Sequence, residues 1–97
     1  MINVGLYYRV KLGHEKEFEA IFSRVVEGLK KSTSGMRNAK LYKSIGEDNE
    51  YMIYTEWDSV ESFRKFISSN EFRSTTREGS SIIEGIPKHR IFREESG

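Results

Sequence analysis

Cysteine is absent from the 97 residues. Disulfides, thiolate nucleophiles, thiolate-held zinc and cysteine-bound iron–sulfur clusters are excluded with it. Histidine occurs twice, at His14 and His89, so imidazole chemistry has few places to sit, and proline and tryptophan occur once each, at Pro87 and Trp57. No apolar run approaches the roughly 20 residues a membrane-spanning helix needs. The opening Met1-Ile2-Asn3-Val4 lacks a basic stretch followed by an apolar one, so no signal peptide is expected. Charge of one sign is also missing. Sixteen basic residues against fifteen acidic ones leave +1, with the signs interspersed. A nucleic-acid binder concentrates positive charge in a patch or stripe, and Lys30-Lys31, the nearest approach, reads as the basic end of a helix. There is no phosphate-cradling glycine loop and no dinucleotide fingerprint. His14 with Glu15 and Glu17 is an acidic helix start, not a metal-ligand set, and nothing places a base beside the serines of the 68–81 region. The expectation is a cytoplasmic protein without nucleic-acid or membrane partners.

What is present reads as one domain over residues 1–97, with 94–97 as a loose tail. Ile2, Val4, Leu6, Tyr8, Val10 and Leu12 alternate with Asn3, Gly5, Tyr7, Arg9 and Lys11, which predicts a strand with one apolar face. Gly13-His14-Glu15 opens a helix whose stripe is Phe18, Phe22, Val25 and Leu29, widened by Ile21 and Val26. Ser32-Thr33-Ser34-Gly35 stops it. Met36 to Ile45 and Glu50 to Trp57 are extended runs joined by a hairpin at Gly46-Glu47-Asp48-Asn49. Asp58 with Glu61 predicts a capping box for a second helix carrying Phe63, Phe66 and Ile67, and Ser68 with Glu71 predicts a break and a new start. A last strand is expected from about Lys88 to Arg93, after a connection bracketed by Gly79-Ser80-Ser81 and Gly85-Ile86-Pro87.

The order β-α-β-β-α-β predicts an α+β, ferredoxin-like fold. Right-handed crossovers put both helices on one face of a four-stranded antiparallel sheet, with the first and third strands central. The opposite face, carrying Tyr7, Tyr42 or Tyr54 according to register, would be costly to leave in water. Two copies packed sheet to sheet would bury it.

Lys11-Leu12-Gly13-His14-Glu15-Lys16-Glu17-Phe18 opens the first helix, and Tyr54-Thr55-Glu56-Trp57-Asp58-Ser59 ends the third strand. Phe63, Phe66, the Ser68-Ser69-Asn70-Glu71-Phe72 break and Pro87-Lys88-His89 follow in turn. In this order and spacing the chain resembles the antibiotic biosynthesis monooxygenase superfamily of dimeric α+β barrels over most of its length. The resemblance implies a homodimer with a pocket between the sheet and the broken second helix. For some members it also implies oxygenation of aromatic, phenolic or quinol-like small molecules by molecular oxygen, with neither metal nor flavin. A second branch binds and degrades haem through an Asn on strand one, a Trp before the break and an axial His after it. Leu6, Phe66 and Thr76 align with those positions. Threonine cannot serve as the axial donor, so haem is an alternative only through other contacts. A third possibility is a non-catalytic dimeric ligand-binding or stress-response module.

Cofactor-free oxygenation needs a base, donors for developing oxyanions and an apolar pocket. Histidine is the side chain suited to proton exchange near neutral pH. His89 is a base or donor at the pocket, a haem contact, or a surface histidine between Lys88 and Arg90; His14 reads as an exposed helix-start residue. Trp57 orients a substrate through its N–H or anchors the strand-to-helix turn. Phe66 and Phe72 fill the core or, with Leu6 and Tyr8, line a pocket under the break. Tyr8 could add a phenolic donor, and Thr76 is a helix-surface hydroxyl or a substrate contact. The expectation assigns chemistry to His89 and Trp57, and substrate binding to Leu6, Tyr8, Phe66, Phe72 and Thr76.

Overall fold

The alternating segment forms strand β1, Ile2–Val10, in a computed structural model that describes residues 1–97, the side chain of Ser32 excepted. Helix α1 (Glu15–Ser32), strands β2 (Met36–Lys43) and β3 (Glu50–Trp57), helices α2 (Val60–Ile67) and α3 (Asn70–Gly79), a short 3-10 turn (Ser80–Ile82) and strand β4 (Ile83–Phe92) follow. The sheet is antiparallel throughout in the order β2-β3-β1-β4, so β1 and β3 are central. This is the ferredoxin-like topology expected of the element order.

Register decides which side chains meet. Val4 lies opposite Thr55 and Leu6 opposite Ile53 on one side, and opposite Ile91 and His89 on the other. Because facing residues share a sheet face, Val4, Leu6, Tyr8, Ile53, Thr55, Trp57 and His89 all lie on the helix side. The core has two parts. Val4, Leu6, Trp57, Phe63 and Phe66 form one, and Val10, Phe18, Tyr51 and Ile82 form the other. Trp57 is completely buried, with its ring centroid 5.6 Å from Phe63 and 5.2 Å from Phe66. Its indole N–H donates to Thr55 Oγ1 at 2.8 Å, and the Thr55 hydroxyl donates to the Val4 carbonyl at 3.0 Å.

Gly35 lets α1 turn into β2. It has φ +89°, and a Cβ there would lie 2.5 Å from Ser62 Oγ, so only glycine fits. The Gly35 carbonyl accepts from the Asp58 N–H at 2.8 Å. That bond shifts the predicted cap. With its backbone still tied to the β2 side and its carboxylate on Arg37 at 2.5 Å, Asp58 is not the cap of α2. Ser59 caps the helix instead, accepting from the Ser62 N–H at 3.2 Å. The second cap also moves by one residue: Ser68 ends α2, and Ser69 caps α3 by accepting from the Phe72 N–H. The last strand begins five residues before Lys88. Pro87 and Gly85 read as a connection, yet both fit β4 because it is an edge strand with a register shift opposite Tyr7 and Arg9.

Tyr51 links the second part of the core to α1. Its hydroxyl donates to Glu19 at 2.5 Å. Burial above all, then that bond and the charges of Glu19, Glu15 and Asp48, raises its pKa far above 10.0. The folded protein therefore keeps a proton that the unfolded chain releases near pH 10. The resulting stability is fully present below about pH 10 and is lost as pH rises toward the folded value. Melting temperature should fall progressively as pH rises above about 10. Tyr51→Phe should flatten that fall while costing about 1 kcal/mol at neutral pH. Circular-dichroism melts across this range test it, and an equally steep fall in the variant would refute the assignment to Tyr51.

Candidate functional site

α1 lies on the helix side of the sheet, and α2 and α3 are separated by the break at Ser68-Ser69. Between them lies a pocket of about 450 Å³. Tyr8, Ile53 and His89 form its sheet floor, and Phe18, Ile21, Phe22 and Val25 of α1 form one wall. Ile67, Phe72, Thr75 and Thr76 form the opposite wall, and Gly79 to Pro87 closes the end. No Asp, Glu, Lys or Arg lines the pocket. A smaller recess of about 60 Å³ adjoins it, sharing Tyr8, Phe22, Ile53, Phe72 and Thr75, and reaches toward Leu6, Phe66 and Trp57.

The structure thus divides the predicted residues. Tyr8, Phe72, Thr76 and His89 line the main pocket, while Leu6, Phe66 and Trp57 line the recess, as Tyr8 and Phe72 also do. Trp57 has its one N–H committed to Thr55. Phe66 packs edge-on against Phe72 at 5.1 Å, so the pair joins the recess to the helix break. His89 stands on the exposed edge strand, its ring 5.3 Å from Phe63. Neither its imidazole nor the Tyr8 hydroxyl makes a hydrogen bond to another described residue, so both are available to a ligand. Burial raises the pKa of Tyr8 above 10.0. The phenol is consequently a donor at neutral pH. His14 is held elsewhere, its Nδ1 2.9 Å from Glu17 at the start of α1.

Several lining residues lie outside the expected set: Phe18, Ile21, Phe22 and Val25 of α1, and Thr75, Ser80 and Ile83 beyond the break. The width of the α1 stripe was the available signal. Phe18 and Leu29 pack on the two parts of the core and Val26 is buried, while Ile21, Phe22 and Val25 are half-buried along the pocket. Among the described residues no group of three His, Cys, Asp or Glu side chains could hold a metal ion. No helix there is long and apolar enough to cross a membrane.

Comparison with known proteins agrees with this architecture. A crystal structure described as a "Putative antibiotic biosynthesis monooxygenase" from Bordetella bronchiseptica superposes with a TM-score of 0.88 at 20% identity, covering 96% of this chain and 95% of that one. SnoaB from Streptomyces nogalater, a cofactor-independent oxygenase, superposes with a TM-score of 0.84 at 19% identity, covering 99% and 94%. Among curated sequences, a "Putative heme-binding protein" of Haloquadratum walsbyi is 28% identical over 86 residues, and one of Haloarcula marismortui 29%. Those matches take in 89% of this chain but only 16% and 13% of the archaeal proteins, so this chain spans about a sixth of their length or less. The sequence model of the antibiotic biosynthesis monooxygenase family matches residues 1–78, and the chain belongs to that family.

Proposed function

We propose that the protein is a cofactor-independent monooxygenase acting on a small, uncharged phenol- or quinol-like substrate in the pocket between the sheet and the broken second helix. The observation that carries this reading is the pocket itself. Its volume falls within the roughly 300–1,000 Å³ of small-molecule sites. Its walls are apolar, and two of its uncommitted polar groups differ in kind: the Tyr8 phenol, which stays protonated, and the His89 imidazole. SnoaB's description as a cofactor-independent oxygenase supports the same chemistry.

The reaction is then shared between substrate and side chains. His89 accepts the substrate hydroxyl proton, and the electron-rich ring carbon of the phenolate bonds to dioxygen. Imidazolium returns the proton to the peroxide so formed. Loss of the remaining C–H proton with hydroxide leaves a carbonyl and water. In sum, a CH2 of the keto tautomer and O2 give C=O and H2O; the substrate supplies the electrons, and one oxygen atom goes to each product. Tyr8 donates a hydrogen bond to the oxygen that carries negative charge along the way. Oxygen uptake with a panel of naphthols and quinols, with product mass showing one oxygen gained and two hydrogens lost, tests this reading. Absence of uptake with the whole panel would defeat it.

A second reading, haem binding through His89, is favoured by the names of the archaeal relatives. Against it, no Lys or Arg lines the pocket to meet the two propionates, and the family resemblance aligns Thr76 with the axial histidine of the haem-degrading branch. The working unit is proposed to be a homodimer. The sheet face away from the helices leaves Tyr7, Tyr42 and Phe92 at 37%, 46% and 45% exposure, and a second copy would cover them. Sedimentation equilibrium should give twice the 11.3 kDa chain mass; a monomer at micromolar concentration would refute it.

A further inference from the structure

The recess behind the pocket has properties the pocket lacks. It sits between the sheet and α1, where Val26, Ala39, Trp57 and Phe66 are all buried. Its volume of about 60 Å³ corresponds to about two liquid waters at roughly 30 Å³ each. Water, however, needs two to four polar partners to be held. Three hydroxyls reach the recess, from Tyr8, Thr55 and Thr75. Thr55 gives its proton to the Val4 carbonyl and accepts from Trp57, and Thr75 gives its proton to the Glu71 carbonyl at 2.9 Å. Only Tyr8 has an uncommitted proton, and it stands where the recess joins the pocket. A small apolar molecule loses nothing by entering such a space, whereas water leaves its hydrogen bonds behind.

We infer that this recess is a dioxygen site, holding O2 beside the ring of the substrate bound in the main pocket. The inference rests on the oxygenase reading for the identity of the gas; the size, apolar lining and position of the recess stand without it. The same arrangement assigns a second task to the Trp57–Thr55–Val4 chain of hydrogen bonds. By occupying the Thr55 hydroxyl, it keeps the far wall of the recess from holding water.

Xenon is the probe, since apolar cavities take it up. Crystals of the full chain pressurised with xenon should show one atom among Val26, Ala39, Trp57 and Phe66. Ala39→Val, which points a larger side chain into the recess from β2, should abolish that site. It should also raise the KM for oxygen about threefold or more while leaving the KM for the organic substrate unchanged, because it removes binding of one reactant only. Should Ala39→Val fold poorly, Val26→Ile makes the same test with one added methylene. Xenon confined to the main pocket, or an oxygen KM unmoved by a filled recess, would overturn the inference even if oxygenation occurs. Xenon in the recess with no oxygen uptake from any quinol would instead overturn the oxygenase reading, and the dioxygen assignment with it.

Discussion

Trp57→Ala should destabilise the protein by about 3–5 kcal/mol, the range for truncating a buried aromatic. Three features place it there. The side chain is completely buried on a central strand. It packs against two rings from α2, Phe63 and Phe66, so its loss removes the surface on which that helix sits. It also supplies the donor that Thr55 accepts. A domain of this size has total stability on the order of 5–15 kcal/mol, so the alanine variant should melt roughly 15 °C or more below the parent. Trp57→Phe separates packing from hydrogen bonding. It keeps most of the ring and leaves Thr55 still donating to Val4, for a cost of about 1–2 kcal/mol. Denaturant titrations of the three proteins measure both values. A loss under about 1 kcal/mol for the alanine variant would mean that α2 holds its place without Trp57.

The second large effect is catalytic. His89→Ala should lower kcat for oxygen uptake by about 10²–10⁴-fold, the usual contribution of a positioned general base, with stability nearly unchanged because His89 is exposed on an edge strand. Tyr8→Phe removes one donor and should cost about 10²–10³-fold. The His89→Ala effect is not expected if His89 is a surface residue between Lys88 and Arg90. The same pair of proteins decides the haem reading. Saturable one-to-one hemin binding, read from the Soret band and lost in His89→Ala, would make His89 an iron ligand and displace the oxygenase. Without hemin binding and without uptake from any quinol, the protein would be a binding module, which the fold permits equally.

Much of this architecture was legible residue by residue. The two-residue alternation of β1 and the stripe of α1 are local patterns that backbone geometry converts directly into faces, and the order of the elements leaves few compact topologies. The missed details share a cause. Asp58 resembles a helix cap from its neighbours alone, but the Gly35 carbonyl, 23 positions earlier, holds its N–H in an extended segment. Gly85 and Pro87 look like a connection until β4 is found at the sheet edge, where the N–H that proline lacks is not needed and a bulge is tolerated.

The site divides along the same line. Sequence by itself determined that Leu6, Tyr8, Trp57 and the phenylalanines of the broken helix share a side with the core, because periodicity specifies which way a side chain points from its own element. Only the tertiary structure decided what each of them meets. Trp57 and His89 lie on the same face of the same sheet, yet β3 is central and β4 is an edge, so one is sealed with its donor engaged and the other is open to a ligand. Leu6 and Tyr8 are two residues apart, and the helices crossing above them send one to the recess alone and the other to the boundary between recess and pocket. Pockets are bounded by residues distant in sequence, and no local pattern records which of those distant residues the chain will bring together.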